Sequence, residues 1–165
     1  MQKVTIVIPN YNERRLLENC LKTLENQTYT DFKVLIIDNG STDGSKEIIS
    51  DTLDMEIVSL ETNLGFCGAV NLGIQMTNTP YIILLNNDTE TDRYFVETLL
   101  KAIERSEKIF SCGAQMIDFQ NHKILDNAGD LYTAMGWAVA RGKGKRCIDY
   151  EKKKRVFSCC AGAAI

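Results

Sequence analysis

The sequence predicts an open, mostly parallel α/β sheet with helices on both faces, followed by a hairpin-rich C-terminal part. Three observations carry this expectation. Apolar β-branched runs and helix-periodic stretches alternate four times before about residue 110, the order that builds a parallel sheet through right-handed crossovers. The runs Val4-Thr5-Ile6-Val7-Ile8, Phe32 to Ile37 and Tyr81 to Leu85 lack in–out alternation, as strands covered on both faces do. Each run hands over abruptly to polar residues, and such sheets bind ligands at the carboxyl ends of their strands.

Each element follows from local sequence. Pro9 closes the first strand because it has no N–H for a ladder. After the polar turn Asn10-Tyr11-Asn12-Glu13, Leu16, Leu17, Cys20, Leu21 and Leu24 recur at helical spacing, predicting a helix from about Glu13 to Gln27. Its amino end points at the tip of strand one, where free N–H groups and the helix dipole favour an anion. The second strand, Phe32 to Ile37, ends in Asp38-Asn39-Gly40-Ser41-Thr42-Asp43-Gly44-Ser45. Thr42 or Asp43 is placed to cap a helix carrying Ile48, Ile49 and Leu53. Met55 to Leu60 reads as an alternating third strand. The next helix contains Gly65, Gly68 and Gly73, which weaken helix propensity and imply close approach by another backbone or a ligand. A dinucleotide fingerprint is excluded there, since no Gly-x-Gly pair follows a strand. Pro80 opens the fourth strand, and Thr91 or Asp92 caps a helix with Phe95, Leu99, Leu100 and Ile103 on its apolar face. Phe110 to Phe119 reads as a further strand, Lys123 to Ala140 as short pieces broken by Gly129 and Gly136, and Val156 to Ile165 as β-like. The expected division is 1–110 and 111–165 within one structural domain.

Composition narrows the function. The 165 residues are 44% hydrophobic and 25% charged with a net charge of −3, ordinary for a globular protein and unfavourable for general nucleic-acid binding. The six cysteines lack a disulfide-scaffold density and a metal-site spacing, so they are expected to be reduced, mostly buried thiols. The amino-terminal apolar run is too short for a signal peptide and no stretch reaches bilayer length, so the expected location is cytoplasmic. Charge is uneven: Arg141, Lys143, Lys145, Arg146, Lys152, Lys153, Lys154 and Arg155 face only Asp149 and Glu151. This Arg141 to Arg155 segment is either a solvated charged loop or a surface for phosphate-rich partners, including the inner membrane face.

Candidate chemistry gathers at the strand tips. In Leu84-Leu85-Asn86-Asn87-Asp88-Thr89, Asp88 offers a hard oxygen ligand for Mg²⁺ or Mn²⁺, and Asn86 a neutral donor and acceptor two residues earlier. The same residues also suit a turn with a helix cap. Asp38 can accept hydrogen bonds from a ribose hydroxyl or a pyrimidine N–H, or serve its own turn. Tyr11 can stack on a flat ring or pack at a strand end. His122 sits in a turn and receives no catalytic role.

Taken together, these motifs resemble the inverting family 2 glycosyltransferases of the GT-A, nucleotide-diphospho-sugar transferase fold. Val4 to Glu13 resembles that family's opening strand and nucleotide loop, Asp38 to Ser45 its second, and Asn86-Asn87-Asp88 its metal-binding Asp-x-Asp segment. Asn63 to Ile74, and Asn127-Ala128-Gly129 through Arg141-Gly142-Lys143-Gly144, are similar to a subgroup that includes rhamnosyltransferases of surface polysaccharide synthesis. The resemblance implies that Pro9, Asn10, Tyr11 and Glu13 line the nucleotide pocket, that Asp38 contacts the base, and that Asn86 and Asn87 face the nucleotide sugar. Asp88 would hold Mg²⁺ or Mn²⁺. Asn86 stands where many relatives carry the first Asp, and an amide there brings no charge. The implied donor is a UDP- or dTDP-linked sugar and the implied acceptor a polysaccharide or a lipid-linked saccharide. The implied division is a nucleotide-sugar-binding core at 1–110 and the start of an acceptor-side region at 111–165. In the family the catalytic base follows the strand near Ala161 to Ile165, so it is expected beyond Ile165, with the chain cut before it and inactive alone. Asp118, Asp126 and Asp130 have no better claim. The competing reading is a nucleotide-sugar-binding module without transfer. A phosphoacceptor receiver domain is disfavoured, lacking clustered acids after strand one and a late Lys.

Overall fold

The computed structural model describes residues 2–151, 155–159 and 162–165. The chain forms two compact units, Met1–Thr98 and Leu99–Ile165. The first contains strand β1 (Val4–Asn10), helix α1 (Arg14–Glu25), β2 (Phe32–Asp38), a short 3-10 turn (Ser45–Glu47), β3 (Asp54–Ser59), α2 (Gly65–Met76) and β4 (Tyr81–Leu85). Its strands lie in the order β3-β2-β1-β4, all parallel. Helix α3 (Phe95–Ile103) starts in this unit and ends in the second.

The uninterrupted apolar runs became central strands because neither face meets water. Val7, Leu35 and Ile37 pack with Ala69 of α2, with Leu72 of the same helix against them. Ile6, Ile8 and Ile36 alternate with these residues and are equally buried, so they fill the opposite face. Each such side chain contributes roughly 1.5–3 kcal/mol of burial. Helix α1 buries Leu17, Cys20, Leu21 and Leu24, the i, i+3, i+4, i+7 stripe of its sequence. The close approach expected around the α2 glycines is real at Gly73, where an added Cβ would lie 2.4 Å from Val7 Cγ1. A strand side chain, not a ligand, occupies that space.

Several expected elements differ. No helix forms over residues 48–53: Gly44 is left-handed at φ 84°, Ile48 is extended, and Ile49 is 84% exposed. The Ser50 hydroxyl accepts from Thr52 N and Leu53 N instead, the local competition by which serine disfavours helix. The strand expected over residues 110–119 shrinks to β5 (Met116–Ile117). Phe110 is 98% exposed, and Asp118 Oδ1 turns the chain by accepting from Gln120 N and Asn121 N.

In the second unit β5 pairs antiparallel with β6 (Leu125–Asn127), and β7 (Asp130–Tyr132) with β8 (Ala138–Ala140), the expected hairpin character. Of the run 156–165, Ser158 bridges to Asp130 and only Ala163–Ala164 forms a strand, β9; Cys160 and Ala161 lie outside the described residues. His122 sits in a turn, as expected, its carbonyl accepting from Cys147 Sγ at 3.6 Å. The five described cysteines are free, but only Cys20 is buried, with Cys67 exposed and Cys112, Cys147 and Cys159 between. Their burial is therefore lower than composition suggests.

In the basic segment Arg141 donates to the Ala128 carbonyl and lies over the Tyr150 ring. Lys143 pairs with Asp126 and Arg146 with Asp149. Exposed pairs of this kind contribute little stability, but they neutralise part of the segment's charge. Lys145 and Arg155 remain exposed, and Lys152, Lys153 and Lys154 lie outside the described residues.

Candidate functional site

The parallel register places Asn10 level with Asp38, and Val7 beside Leu84, so the tips of β1, β2 and β4 converge. Asn10 and Asp38 are 2% and 1% exposed, and both belong to one hydrogen-bond network. Asn10 Nδ2 donates to Asp38 Oδ1 at 3.0 Å and to Ser41 Oγ at 3.3 Å. Asp38 Oδ1 also accepts from the Ser41 hydroxyl, and Oδ2 accepts from Ser41 N at 3.0 Å. From the turn after β4, Asn87 Nδ2 donates to Asn10 Oδ1 at 2.7 Å. Buried polar groups need such partners, and the result ties three strand ends together. Of the two roles open to Asp38, the structure gives it the turn role: its carboxylate shapes the Asp38-Asn39-Gly40-Ser41 turn.

The loop after β1 is clipped to this turn by Asn12, which sequence reasoning did not single out, and by Asp43, which it assigned to a different helix. Asn12 N donates to Ser41 Oγ at 2.9 Å, and Asn12 Oδ1 accepts from Thr42 N at 2.8 Å. Asn12 has φ 54° and is the one described non-glycine residue with positive φ, a region Asn tolerates better than most. Its Asn-x-Asn spacing after a strand was the available signal. Next along, Asp43 Oδ2 accepts from Arg14 N at 2.8 Å, and Oδ1 accepts from Ser45 N and Ser45 Oγ. The Ser45 hydroxyl, then the Arg14 and Ser45 N–H groups, hold the Asp43 carboxyl below its ordinary range. Asp43 is thus the anion at the amino end of α1, not the cap of a following helix. A ligand anion would have to use the remaining N–H groups there.

At the tip of β4 the chain turns, as the alternative reading of Asn-Asn-Asp-Thr requires, with Thr89 N and Thr89 Oγ1 donating to the Asn86 carbonyl at 3.3 and 2.7 Å. The helix cap belongs to Asp92, whose Oδ1 accepts from Tyr94 N. Below the turn, Cys20 Sγ lies 3.8 Å from the Asn86 carbonyl, and burial pushes its thiol up to about 12, assisted by the Asp88 and Glu90 charges against a lowering by Thr89. Asp88 itself is exposed.

No group of three His, Cys, Asp or Glu residues suited to a metal occurs among the described residues. Asp88 is a single exposed carboxylate with the half-buried Asn86 amide two residues before it, a donor set that fits Mg²⁺ only where substrate phosphates and water complete the shell.

Of the predicted site residues, the structure brings together the buried Pro9, Asn10 and Asp38 with the half-buried Asn87, and leaves Tyr11, 48% exposed, and Glu13 in solvent beside them. Asn86 and Asp88 follow β4 on the same end of the sheet. A cavity of about 130 Å³ lies at the opposite, amino ends of the strands, lined by Thr5, Lys33, Glu56 and Thr79 among others; it shares no residue with this site. In the second unit, Asp118 serves its turn, Asp126 pairs with Lys143, and Asp130 accepts from Asn127 and Ser158.

Comparison with known proteins gives the family and supports the fold. Residues 5–165 match the family described as Glycosyl transferase family 2. The teichoic acid poly(glycerol phosphate) polymerase of Staphylococcus epidermidis is 27% identical over 116 residues, covering 67% of this chain and 16% of that protein. Among solved structures, S. aureus TarS 1-349 in complex with UDP-GlcNAc superposes with a TM-score of 0.64 at 21% identity, over 70% of this chain and 34% of that one. Mannosyltransferase PcManGT from Pyrobaculum calidifontis, in complex with GDP-Man and Mn²⁺, gives 0.65 at 21% identity, over 74% and 39%. Both likenesses show the fold, a mostly parallel α/β sheet of the GT-A type. The chain spans less than half the length of each of the three.

Proposed function

The chain belongs to glycosyl transferase family 2, and on that premise we propose that it binds a UDP- or dTDP-linked sugar as the donor part of an inverting glycosyltransferase. The acceptor we infer is a cell-surface polysaccharide or a lipid-linked saccharide, in the rhamnosyltransferase-like subgroup suggested by Asn63 to Ile74. One observation carries the reading: at the carboxyl ends of adjacent parallel strands, an exposed aromatic ring and an exposed carboxylate border a buried hydrogen-bond network. The UDP-GlcNAc of the TarS complex supports a uridine donor, the GDP-Man of the mannosyltransferase complex supports a nucleotide sugar as a class without favouring uridine or thymidine, and the teichoic acid polymerase supports a surface-polymer acceptor.

In this reading Tyr11 stacks on the base, and Pro9 and Asn10 form the pocket wall. Asp38 Oδ2 accepts one hydrogen bond, from Ser41 N, and its remaining lone pair would take the base edge. Glu13, Asn86 and Asn87 face the ribose and diphosphate. Asp88 would hold Mg²⁺ or Mn²⁺, which when bound neutralises charge on the departing nucleoside diphosphate. Transfer forms a bond from an acceptor hydroxyl oxygen to the anomeric carbon as the bond from that carbon to the diphosphate breaks, the hydroxyl proton passing to a carboxylate base. Asp118, Asp126 and Asp130 are each engaged by neighbouring groups, which supports our proposal that this 165-residue chain binds donor without transferring it. We further propose a cytoplasmic location at the inner membrane face, through the exposed cations of residues 141–155 and anionic lipid. Among the described residues no helix is long and apolar enough to cross a membrane.

The test is thermal unfolding with uridine or thymidine diphosphate, with and without Mn²⁺. Ligand at about 100 times its Kd should add about 2.7 kcal/mol, and only with the cation present. Equal shifts without Mn²⁺ would remove Asp88 from the metal role, and no shift with either nucleotide would overturn the reading.

A further inference from the structure

We propose that Asn12 and Ser41 are positioning residues that hold Tyr11 as a preformed stacking platform for the donor's base. The inference rests on the nucleotide-binding reading above and adds the residues that make Tyr11 effective. Tyr11 sits between two anchored neighbours. On one side Asn10 is locked by Asp38, Ser41 and Asn87. On the other Asn12 is held at both ends, its N–H on Ser41 Oγ and its side-chain oxygen on Thr42 N.

Ser41 is the hub. It is 5% exposed, and its hydroxyl donates to Asp38 Oδ1 while accepting from Asn10 Nδ2 and Asn12 N. A hydroxyl offers one donor and two acceptor sites, so the capacity of Ser41 is filled, with no part left for a ligand. Asn12 is exposed, but its N–H and its side-chain oxygen are both engaged, by Ser41 and Thr42. Together the two residues fix the backbone on both sides of a ring that is 48% exposed and has no ring partner among the described residues.

The backbone at Asn12 supplies the independent sign. A non-glycine residue at φ 54° sits in a sparsely populated region that persists only where its surroundings impose it, and such residues cluster at ligand sites. Here the left-handed turn at Asn12 reverses the chain directly after Tyr11, so that α1 leads away from the strand tip. A ring fixed before the ligand arrives loses less freedom on binding than a mobile one.

A double-mutant cycle separates this role from general support of the fold. Binding of uridine diphosphate, and of inorganic pyrophosphate as a probe without a base, is measured by calorimetry with Mn²⁺ for the wild type, Asn12→Ala, Tyr11→Ala and the double variant. Tyr11→Ala should weaken uridine diphosphate about tenfold or more, the scale of aromatic stacking on a base, and leave pyrophosphate unchanged. Asn12→Ala should weaken uridine diphosphate about three- to tenfold and pyrophosphate not at all. In the Tyr11→Ala background it should cost nothing further. Asn12→Asp, which keeps the acceptor for Thr42 N, should restore most of the affinity, and Ser41→Ala should behave as Asn12→Ala. Additive losses from Tyr11 and Asn12, or equal losses for both ligands, would overturn the positioning role while leaving the nucleotide site standing. Failure of the wild type to bind uridine diphosphate would overturn both.

Discussion

The two units of the chain are built to different standards. In residues 1–98 the central strands run five to seven residues in parallel register, and Ile6, Ile8, Ile36 and Ile83 are fully buried. In residues 99–165 the strands are two or three residues long, and Phe110, Met135 and Trp137 are 98%, 83% and 69% exposed. Both contain large apolar residues; they differ in whether covering elements exist for them. A two-stranded ribbon such as β7–β8 is marginal without a packed face, whereas a parallel sheet covered on both sides concentrates hydrophobic stabilisation in a few strands. Stability should therefore reside in the first unit, and side-chain losses should register there.

The largest expected effect tests that directly. Ile36→Ala removes a side chain with no exposure from the middle of the sheet and should cost about 2–5 kcal/mol in urea unfolding. Trp137→Ala, despite deleting more atoms, should change stability by less than about 0.5 kcal/mol, as surface substitutions do. Similar losses at both positions would erase the contrast.

A smaller effect belongs to the strand tips. Asp38→Ala leaves Ser41 N, Ser41 Oγ and Asn10 Nδ2 without their buried acceptor and should lower stability in the absence of ligand by about 2–3 kcal/mol. Stability unchanged in the same urea titration would mean that the network relaxes freely and that the turn role assigned to Asp38 is wrong.

The smallest effect is one of pH. Because hydrogen bonds from Ser45 and Arg14 depress the Asp43 carboxyl in the folded chain, its contribution is present above the unfolded value, about 3.9. It is lost as pH falls through the lower folded value. Asp43→Asn should flatten the acid limb of melting temperature against pH below about pH 4 and leave the limb above pH 5 alone. An unchanged acid limb would assign that slope to other carboxylates.

The same contrast explains what could be read in advance. Val4 to Ile8, Phe32 to Ile37 and Tyr81 to Leu85 announce themselves because complete burial demands unbroken apolar runs, and α1 because its stripe repeats over two turns. Residues 48–53 deceive: Ile48, Ile49 and Leu53 have helical spacing, but Ser50 captures the amides a helix would need, a side-chain choice that periodicity cannot register. Phe110 to Phe119 deceives for the complementary reason, since β-propensity without a surface to pack on does not make a strand. At the site, the types and locations of Asn10, Tyr11, Asp38 and Asp88 were legible because strand ends are fixed by topology. The partners were not: Asp43 capping α1 and Asn12 locking to Ser41 join residues 29 positions apart, and nothing local in the sequence specifies that pairing.

Cys20 gives the candidate site a reporter of its own. Its thiol lies under the turn formed by Asn86 and Thr89 and is held near 12 by burial, so at neutral pH the thiolate needed for alkylation is essentially missing while the turn stays closed. Cys67, on the surface of α2, has no such protection. In a chain whose other cysteines are replaced by serine, the rate at which Cys20 is labelled becomes a clock for excursions of the β4 tip, read without any ligand, and slowing of that clock by a nucleotide would map binding onto the residues that carry it.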